Sequence, residues 1–227
     1  MRDKIYIVIP ALNESRVIQE VIGEINKQGY KNVIVVDDGS QDNTYARARR
    51  LKGVTALRHK INCGKGAAAK TGLAAARRMG ADIVVTMDGD GQHDARDIRR
   101  IIKPISQGMC EVALGTRLTR AQEMPVTRKA ANRLGNFLTW LLYGIWVTDS
   151  QSGFRAYSRE ALELVNPRAD RYDFDSEIIR EIKLHNLNFQ EVPIKARYTE
   201  YSLSKQEKQG VLNGLKTVYK MVWNLIS

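Results

Sequence analysis

Asp88 and Asp90 stand one residue apart in the stretch Asp88-Gly89-Asp90-Gly91-Gln92-His93, directly after an apolar run. Carboxylate oxygens are the ligands that hard divalent cations prefer. Mg2+ or Mn2+ held in this way keeps positions open for water and for substrate phosphates. The two glycines would let a diphosphate approach the backbone, and Gln92 or His93 could supply a further ligand or donor. Asp-Gly pairs are also common in plain surface turns, so this stretch alone reads either way. A second acidic pair, Asp37-Asp38 before Gly39-Ser40, suits the N–H groups of a base or the hydroxyls of a ribose. Ser40 or Asp42 could instead cap the next helix and leave the pair as a polar strand end. Glu14, in Pro10-Ala11-Leu12-Asn13-Glu14, is either a ligand contact or a charge favoured at a helix N-terminus. In Asn62-Cys63-Gly64-Lys65-Gly66 a lysine sits among glycines, where it could meet phosphate or sugar hydroxyls.

Other chemistries find little support. The P-loop pattern GxxxxGK[ST] is absent, and no GxGxxG follows the first strand. His59, His93 and His185 lack the mutual spacing of a metal cage or triad, and there is no GxSxG nucleophile elbow.

The elements that must position these groups are legible in the pattern. Each acidic or glycine-rich segment follows a β-branched apolar run, over 5–9, 33–36, 54–57 and 83–87, and helical pattern resumes after each, roughly over 14–28, 43–51, 65–79 and 95–106. A further run at 112–114 leads to Gly115-Thr116-Arg117. Strands alternating with helices predict a mostly parallel sheet with right-handed crossovers. Ligands of such sheets bind outside the carboxyl ends of the strands, where all four segments fall. A polyphosphate with a divalent metal, and so a nucleotide-dependent enzyme, is the expectation.

The second half differs. Residues 134–147 are apolar at helical spacing, with Trp140, Tyr143 and Val147 widening the stripe beyond one face. Such a helix is buried in a core or subunit interface, or it lies on a bilayer surface, as Trp, Tyr and the nearby Arg128, Lys129 and Arg133 would suit. Asp149 to Arg155 reads as a turn, followed by helices near 159–165 and 175–185 and a strand over 189–192. An amphipathic helix over 206–226 would pack on the core, form a dimer contact or lie on a membrane. The reading is one domain over 1–227, with a nucleotide-binding half to about 115 and an acceptor-binding half over 116–205.

Of 227 residues, 36 are basic and 25 acidic, a net charge of +11. Nucleic acid, anionic lipid and phosphorylated substrates are all compatible with that balance. No nucleic-acid-binding signature accompanies it, so nucleic acid is not expected as a partner. No apolar stretch reaches the roughly 18 residues of a membrane span. Cys63 and Cys110 have no metal spacing and are expected to stay reduced in a cytoplasmic protein.

Taken together, PALNE, DDGS with Asp42, NxGKG, DGDGQH, GTR and DSxSGFR resemble the family 2 glycosyltransferases of GT-A fold. Within that family the chain is most similar to the dolichol- or polyprenyl-phosphate sugar synthases, over residues 4 to about 205. The resemblance implies a UDP- or GDP-linked sugar donor whose diphosphate is held by Mg2+ or Mn2+ at Asp88 and Asp90, with Gln92 assisting. It implies a nucleotide-sugar pocket of Pro10, Leu12, Glu14, Asp37, Asp38, Lys65 and Gly89, closed over the diphosphate by Arg197 and Lys205. Arg117, Arg128 and Asn132 would meet the acceptor phosphate or donor diphosphate. The implied reaction inverts the anomeric centre on transfer to a polyprenyl or dolichyl phosphate. A hydroxyl acceptor would need a carboxylate base, for which Asp149 and Glu177 are the candidates. A hydroxyl-directed family 2 enzyme and a catalytically silent nucleotide-binding protein are the alternative readings. The expected location is peripheral, at the cytoplasmic face of a membrane, with a homodimer or membrane-protein partner possible in principle.

Overall fold

The computed structural model describes residues 3–117, 126–171 and 173–197. Among the described residues seven strands form one sheet in the order β3-β2-β1-β4-β6-β5-β7. They are β1 (Ile5–Ala11), β2 (Val33–Asp37), β3 (Val54–Arg58), β4 (Ile83–Thr86), β5 (Val112–Thr116), β6 (Arg155–Ser158) and β7 (Phe189–Pro193). The helices are α1 (Ile18–Lys27), α2 (Thr44–Ala48), α3 (Lys65–Arg78), α4 (Ile98–Ser106), α5 (Val126–Tyr143), α6 (Arg159–Leu164) and α7 (Phe174–Leu184). The β1–β2, β2–β3, β1–β4 and β5–β7 pairs are parallel, as strand–helix alternation predicts. β6 runs antiparallel to both its neighbours, β4 and β5.

Period-two alternation along the strands divides the core between the two faces of the sheet. Ile7 and Ile9 of β1 join Val33, Val35 and Val85 against α1 (Ile18, Ile22, Ile25) and α4 (Ile98, Ile101, Ile105). Tyr6 and Val8 face the other way, with Ile34, Val36 and Val84, against α3 and α7. The α3 face is built of small residues because the helix lies very close to the sheet. A Cβ on Gly72 would come within 2.2 Å of Val8 Cγ1. That close packing brings the first residue of α3, Lys65, to the carboxyl edge.

Strand order reverses at β1, which has β2 on one side and β4 on the other. The crevice at such a switch point is where open α/β sheets bind ligands. The ends of β1, β2 and β4 carry Pro10 to Glu14, Asp37-Asp38 and Asp88 to His93 to that edge.

Several boundaries differ from the pattern. Residues 14–17 form a turn before α1, since the Glu14 carbonyl already accepts from the Val17 and Ile18 amides. The expected helix from 95 starts as a 3-10 turn, Ala95–Asp97, before α4. α5 begins at Val126, earlier than the apolar stripe, and ends at Tyr143 before Gly144 at φ 70°. Trp146 therefore lies beyond the helix. β6 was not expected: Arg155-Ala-Tyr-Ser is too short and polar to read as a strand. The segment 206–226 lies outside the described residues. Among the described residues no helix is long and apolar enough to cross a membrane.

Candidate active site

Asp38 is 2% exposed and acts as a brace at the start of α3. Its Oδ1 accepts from the Cys63 amide at 3.0 Å, and its Oδ2 accepts from the Gly64 amide at 2.7 Å. His59 Nδ1 lies 2.7 Å from the same Oδ1, and His59 Nε2 lies 3.0 Å from Thr71 Oγ1. A carboxylate only accepts, so Nδ1 donates to Asp38, and in the neutral imidazole Nε2 is then the acceptor for the Thr71 hydroxyl. Gly64 allows the turn: its φ is 110°, and a Cβ there would lie 2.2 Å from the Asp170 carbonyl oxygen. Asp38, His59 and Cys63 each bring a ligating atom within 4.8 Å of the others. Both imidazole nitrogens are already hydrogen-bonded, so we read this trio as a bracing network.

Asp37 is fully buried, accepts from the Ser40 amide at 3.3 Å and lies 3.1 Å from Arg58 Nε. Glu14 is buried, and its amide donates to Thr44 Oγ1 at 2.8 Å. The β1 and β2 ends are tied directly, through the Asp38 amide on the Ala11 carbonyl at 2.8 Å, beside Pro10 and Leu12. Ser40 does not cap α2, whose N-cap residue Asn43 has no side-chain cap bond; Ser40 and Asp42 instead tie the turns after β1 and β2. Ser40 Oγ accepts from the Asn13 amide, and Asp42 accepts from the Ser15 and Thr44 amides.

Beyond β4, Lys65 Nζ lies 2.8 Å from Asp88 Oδ1, and His93 Nε2 lies 3.1 Å from Asp88 Oδ2. His93 is buried and stacks on Phe154 with ring centroids 5.1 Å apart. Burial alone would raise the Asp88 pKa, but Lys65 and His93 outweigh it and hold the carboxyl well below its ordinary value. Asp90 accepts from the Gln92 amide at 3.0 Å. Burial first, and then the Asp88 charge, push the Asp90 pKa up. A carboxylate in that position is short of positive charge. Asp88, Asp90 and the amide oxygen of the buried Gln92 offer an all-oxygen donor set, which fits Mg2+ or Mn2+. Gly89 leaves room for the turn, since a Cβ there would lie 3.2 Å from Ile9 Cγ2.

Sequence reasoning missed Asp175, whose Oδ2 is 3.2 Å from Lys65 Nζ, and Arg155, which is 1% exposed. Arg155 donates to the carbonyls of Ser152, Ser150 and Asp175 at 2.9, 2.7 and 2.7 Å. Its place in DSxSGFR was the available signal. The glycine of that motif, Gly153, backs the site: a Cβ there would lie 2.6 Å from Lys65 Nζ and 2.8 Å from Asp88 Oδ1.

Arg117 and Asp149 are brought together. Asp149 is 4% exposed and accepts from the Arg117 amide at 3.0 Å, from Nε at 2.7 Å and from Nη2 at 2.8 Å. Glu177 is buried and accepts from the Ala169 amide at 2.7 Å. Arg197 is drawn to Glu24 at 2.7 and 2.8 Å and to Asp94 Oδ1 at 2.9 Å. Its amide donates to the Gln92 carbonyl at 2.8 Å, so it tethers the carboxylate turn from outside. Arg128 and Asn132 fall on α5, with side chains outside the described residues, as is Lys205.

Residues 6–165 match the family model described as glycosyl transferase family 2. This chain belongs to that family. It is 41% identical over 244 residues, 98% of this chain and 96% of the other, to the UDP-N-acetylglucosamine–dolichyl-phosphate N-acetylglucosaminyltransferase of Methanococcus voltae. It is 28% identical over 214 residues, 90% of this chain and 80% of the other, to the polyprenol monophosphomannose synthase of Mycolicibacterium smegmatis. Among solved structures, glucosyl-3-phosphoglycerate synthase of Mycobacterium tuberculosis, in complex with Mn2+, UDP and phosphoglyceric acid, superposes with a TM-score of 0.67. That match is at 24% identity and covers 95% of this chain and 78% of the other. The fold of this family 2 glycosyltransferase is therefore GT-A.

Proposed function

We propose that this enzyme transfers a sugar from a UDP-sugar, with UDP-N-acetylglucosamine the first donor to test, to a polyprenyl or dolichyl phosphate, with inversion. Support for donor and acceptor comes from the names of the relatives at 41% and 28% identity. The observation that carries the phosphate acceptor is the state of the two candidate bases. Asp149 is chelated by Arg117, and the buried Glu177 accepts from the Ala169 amide, so both candidate bases are already engaged within the protein. A phosphomonoester has a second pKa of about 6 and is already ionised near neutrality, so its oxygen attacks without a base.

The protein's task is then to bring two anions together and to hold the departing nucleoside diphosphate. Pro10, Leu12 and Glu14 would line the nucleoside side of the crevice with the fully buried Asp37 behind them, and Asp38 fixes the turn that delivers Lys65. Asp88, Asp90 and Gln92 would hold Mg2+ or Mn2+, which supplies Lewis-acid charge to the leaving diphosphate. Arg117, oriented by Asp149, would offer its guanidinium to the acceptor phosphate; the resemblance adds Arg128 and Asn132 to that role. Arg197 supports the site by tethering its turn.

Access to a lipid acceptor has its own feature. Phe137, Trp140, Leu141 and Trp146 are 46%, 43%, 61% and 58% exposed. The Phe137 and Trp140 rings are 5.7 Å apart and the Trp140 and Trp146 rings 6.4 Å, so they form one apolar patch. Aromatic residues on a basic protein suit the headgroup region of an anionic bilayer, and we assign this patch to peripheral attachment at the cytoplasmic face.

The test is a matrix of UDP- and GDP-sugars against a short polyprenyl phosphate, with Mn2+ or with EDTA. Metal-dependent glycolipid formation, abolished by Asp90→Ala, is expected. Donor hydrolysis with no glycolipid would reject the acceptor, and nucleotide binding with no turnover would favour a silent binder.

A further inference from the structure

Lys65 is placed between two carboxylates that belong to different parts of the chain. Its ammonium is 2.8 Å from Asp88 Oδ1, in the carboxylate turn, and 3.2 Å from Asp175 Oδ2, in the first turn of α7. Asp88 Oδ2 faces His93 Nε2, so both Asp88 oxygens have protein partners. Asp175 is held in turn by Arg155, whose Nη2 donates to the Asp175 carbonyl at 2.7 Å and lies 3.8 Å from its carboxylate. Gly153 closes the back of the arrangement, because any side chain there would strike both Lys65 and Asp88.

We propose that Lys65 is a built-in competitor of the divalent cation for Asp88, and that Asp175 is the positioning residue that holds the ammonium in place when the cation takes Asp88 over. This rests on the assignment of the cation to Asp88 and Asp90 above.

A divalent cation of this class binds carboxylate oxygen at about 2.0–2.1 Å. An ammonium within hydrogen-bonding reach of the same oxygen is repelled by it and takes up the electron density the cation needs. Counted formally, Asp88, Asp90 and Asp175 bring three negative charges and Lys65 and Arg155 two positive ones, a sum of one negative charge. These five side chains together are thus nearly neutral, which lowers their hold on a cation. A lysine has three N–H donors. With Asp175 fixed by Arg155, Lys65 can give up Asp88 and keep one anionic partner, leaving donors for the diphosphate. Without Asp175, the ammonium would have Asp88 as its nearest anion and would contest it more strongly.

The experiment is Mn2+ binding to the nucleotide-free protein, read by the electron paramagnetic resonance of free Mn2+. Lys65→Met is expected to bind Mn2+ on the order of tenfold more tightly, the size of one charge-assisted contact removed. Asp175→Asn is expected to bind it several-fold more weakly. In the double variant the Asp175→Asn effect should largely vanish, because Asp175 acts through Lys65. An equal effect of Asp175→Asn in both backgrounds would mean only long-range charge and would overturn the positioning role. Unchanged or weaker Mn2+ binding by Lys65→Met would overturn the competition, and this arm decides even if Asp175→Asn fails to fold. Failure of the metal assignment looks different: the native protein would bind no Mn2+, or Asp90→Ala would bind it equally well.

Discussion

Asp38→Asn separates a brace from a ligand contact. The native carboxylate accepts three hydrogen bonds, from the Cys63 amide, the Gly64 amide and His59 Nδ1, at 3.0, 2.7 and 2.7 Å. An asparagine has nearly the same shape but only one accepting oxygen, and its NH2 donates. Placed with its oxygen at Oδ1, it keeps Cys63 and His59 and sets NH2 against the Gly64 N–H. The flipped placement loses two donors. The better arrangement therefore forfeits one charge-assisted bond and leaves a buried amide unsatisfied, about 2–4 kcal/mol. For a chain of this size each kcal/mol shifts Tm by about 2–4 °C, so Tm should fall by roughly 4–16 °C. Loosening the turn also moves Lys65, the next residue, so UDP affinity should fall with it. Thermal unfolding by circular dichroism and UDP titration by calorimetry read both. A Tm unchanged to within about a degree, together with weakened UDP binding, would refute the bracing argument and make Asp38 a direct ligand contact.

Arg155→Met should lower stability by about 3–5 kcal/mol, because three carbonyls lose a donor inside the core; denaturant unfolding within about 1 kcal/mol of the native protein would contradict this. Arg197→Ala should lower Tm and leave UDP affinity unchanged, since the guanidinium engages Glu24 and Asp94; weakened UDP binding at an unchanged Tm would return Arg197 to the diphosphate. Trp140→Glu with Trp146→Glu should abolish binding to anionic vesicles while a short, water-soluble acceptor is still glycosylated, and retained vesicle binding would count against the patch. Burial tends to raise the Asp42 pKa, but hydrogen bonds from Thr44 and Ser15 win and lower it from 3.8. Its contribution to stability is then present above the ordinary value and lost as pH falls through the folded one. Asp42→Asn should accordingly flatten the acid limb of the stability profile, and an unaltered limb would show that Asp42 is not a source of it.

The placement of these segments at the carboxyl edge was legible because each follows its own β-branched run. The turns at Pro10, Asp37 and Asp88 and the start of α3 at Lys65 all fall where that pattern put them. What was not legible depends on distant residues. Lys65 and Asp175 are 110 positions apart, and nothing near either one signals the pair. β6 is short and contains a buried arginine, so it lacks the apolar alternation that marks a strand. The resemblance implied a diphosphate contact for Arg197, and its pairing with Glu24, 173 positions away, has no signal in the local sequence. The aromatic stripe after residue 134 was the converse case. Its spacing was correctly helical up to Tyr143, but period alone does not tell a buried face from a wetted one. Phe137, Trp140 and Leu141 proved exposed, while Asn136 and Thr139 are buried.

The most direct test of the central claim is to identify the product formed from UDP-N-acetylglucosamine with Mn2+ when a short polyprenyl phosphate and the matching polyprenol are offered together. Mass spectrometry and the anomeric proton coupling would define it. The account predicts sugar joined only to the phosphate, with the anomeric configuration inverted. Transfer to the polyprenol hydroxyl, or a retained configuration, would contradict it.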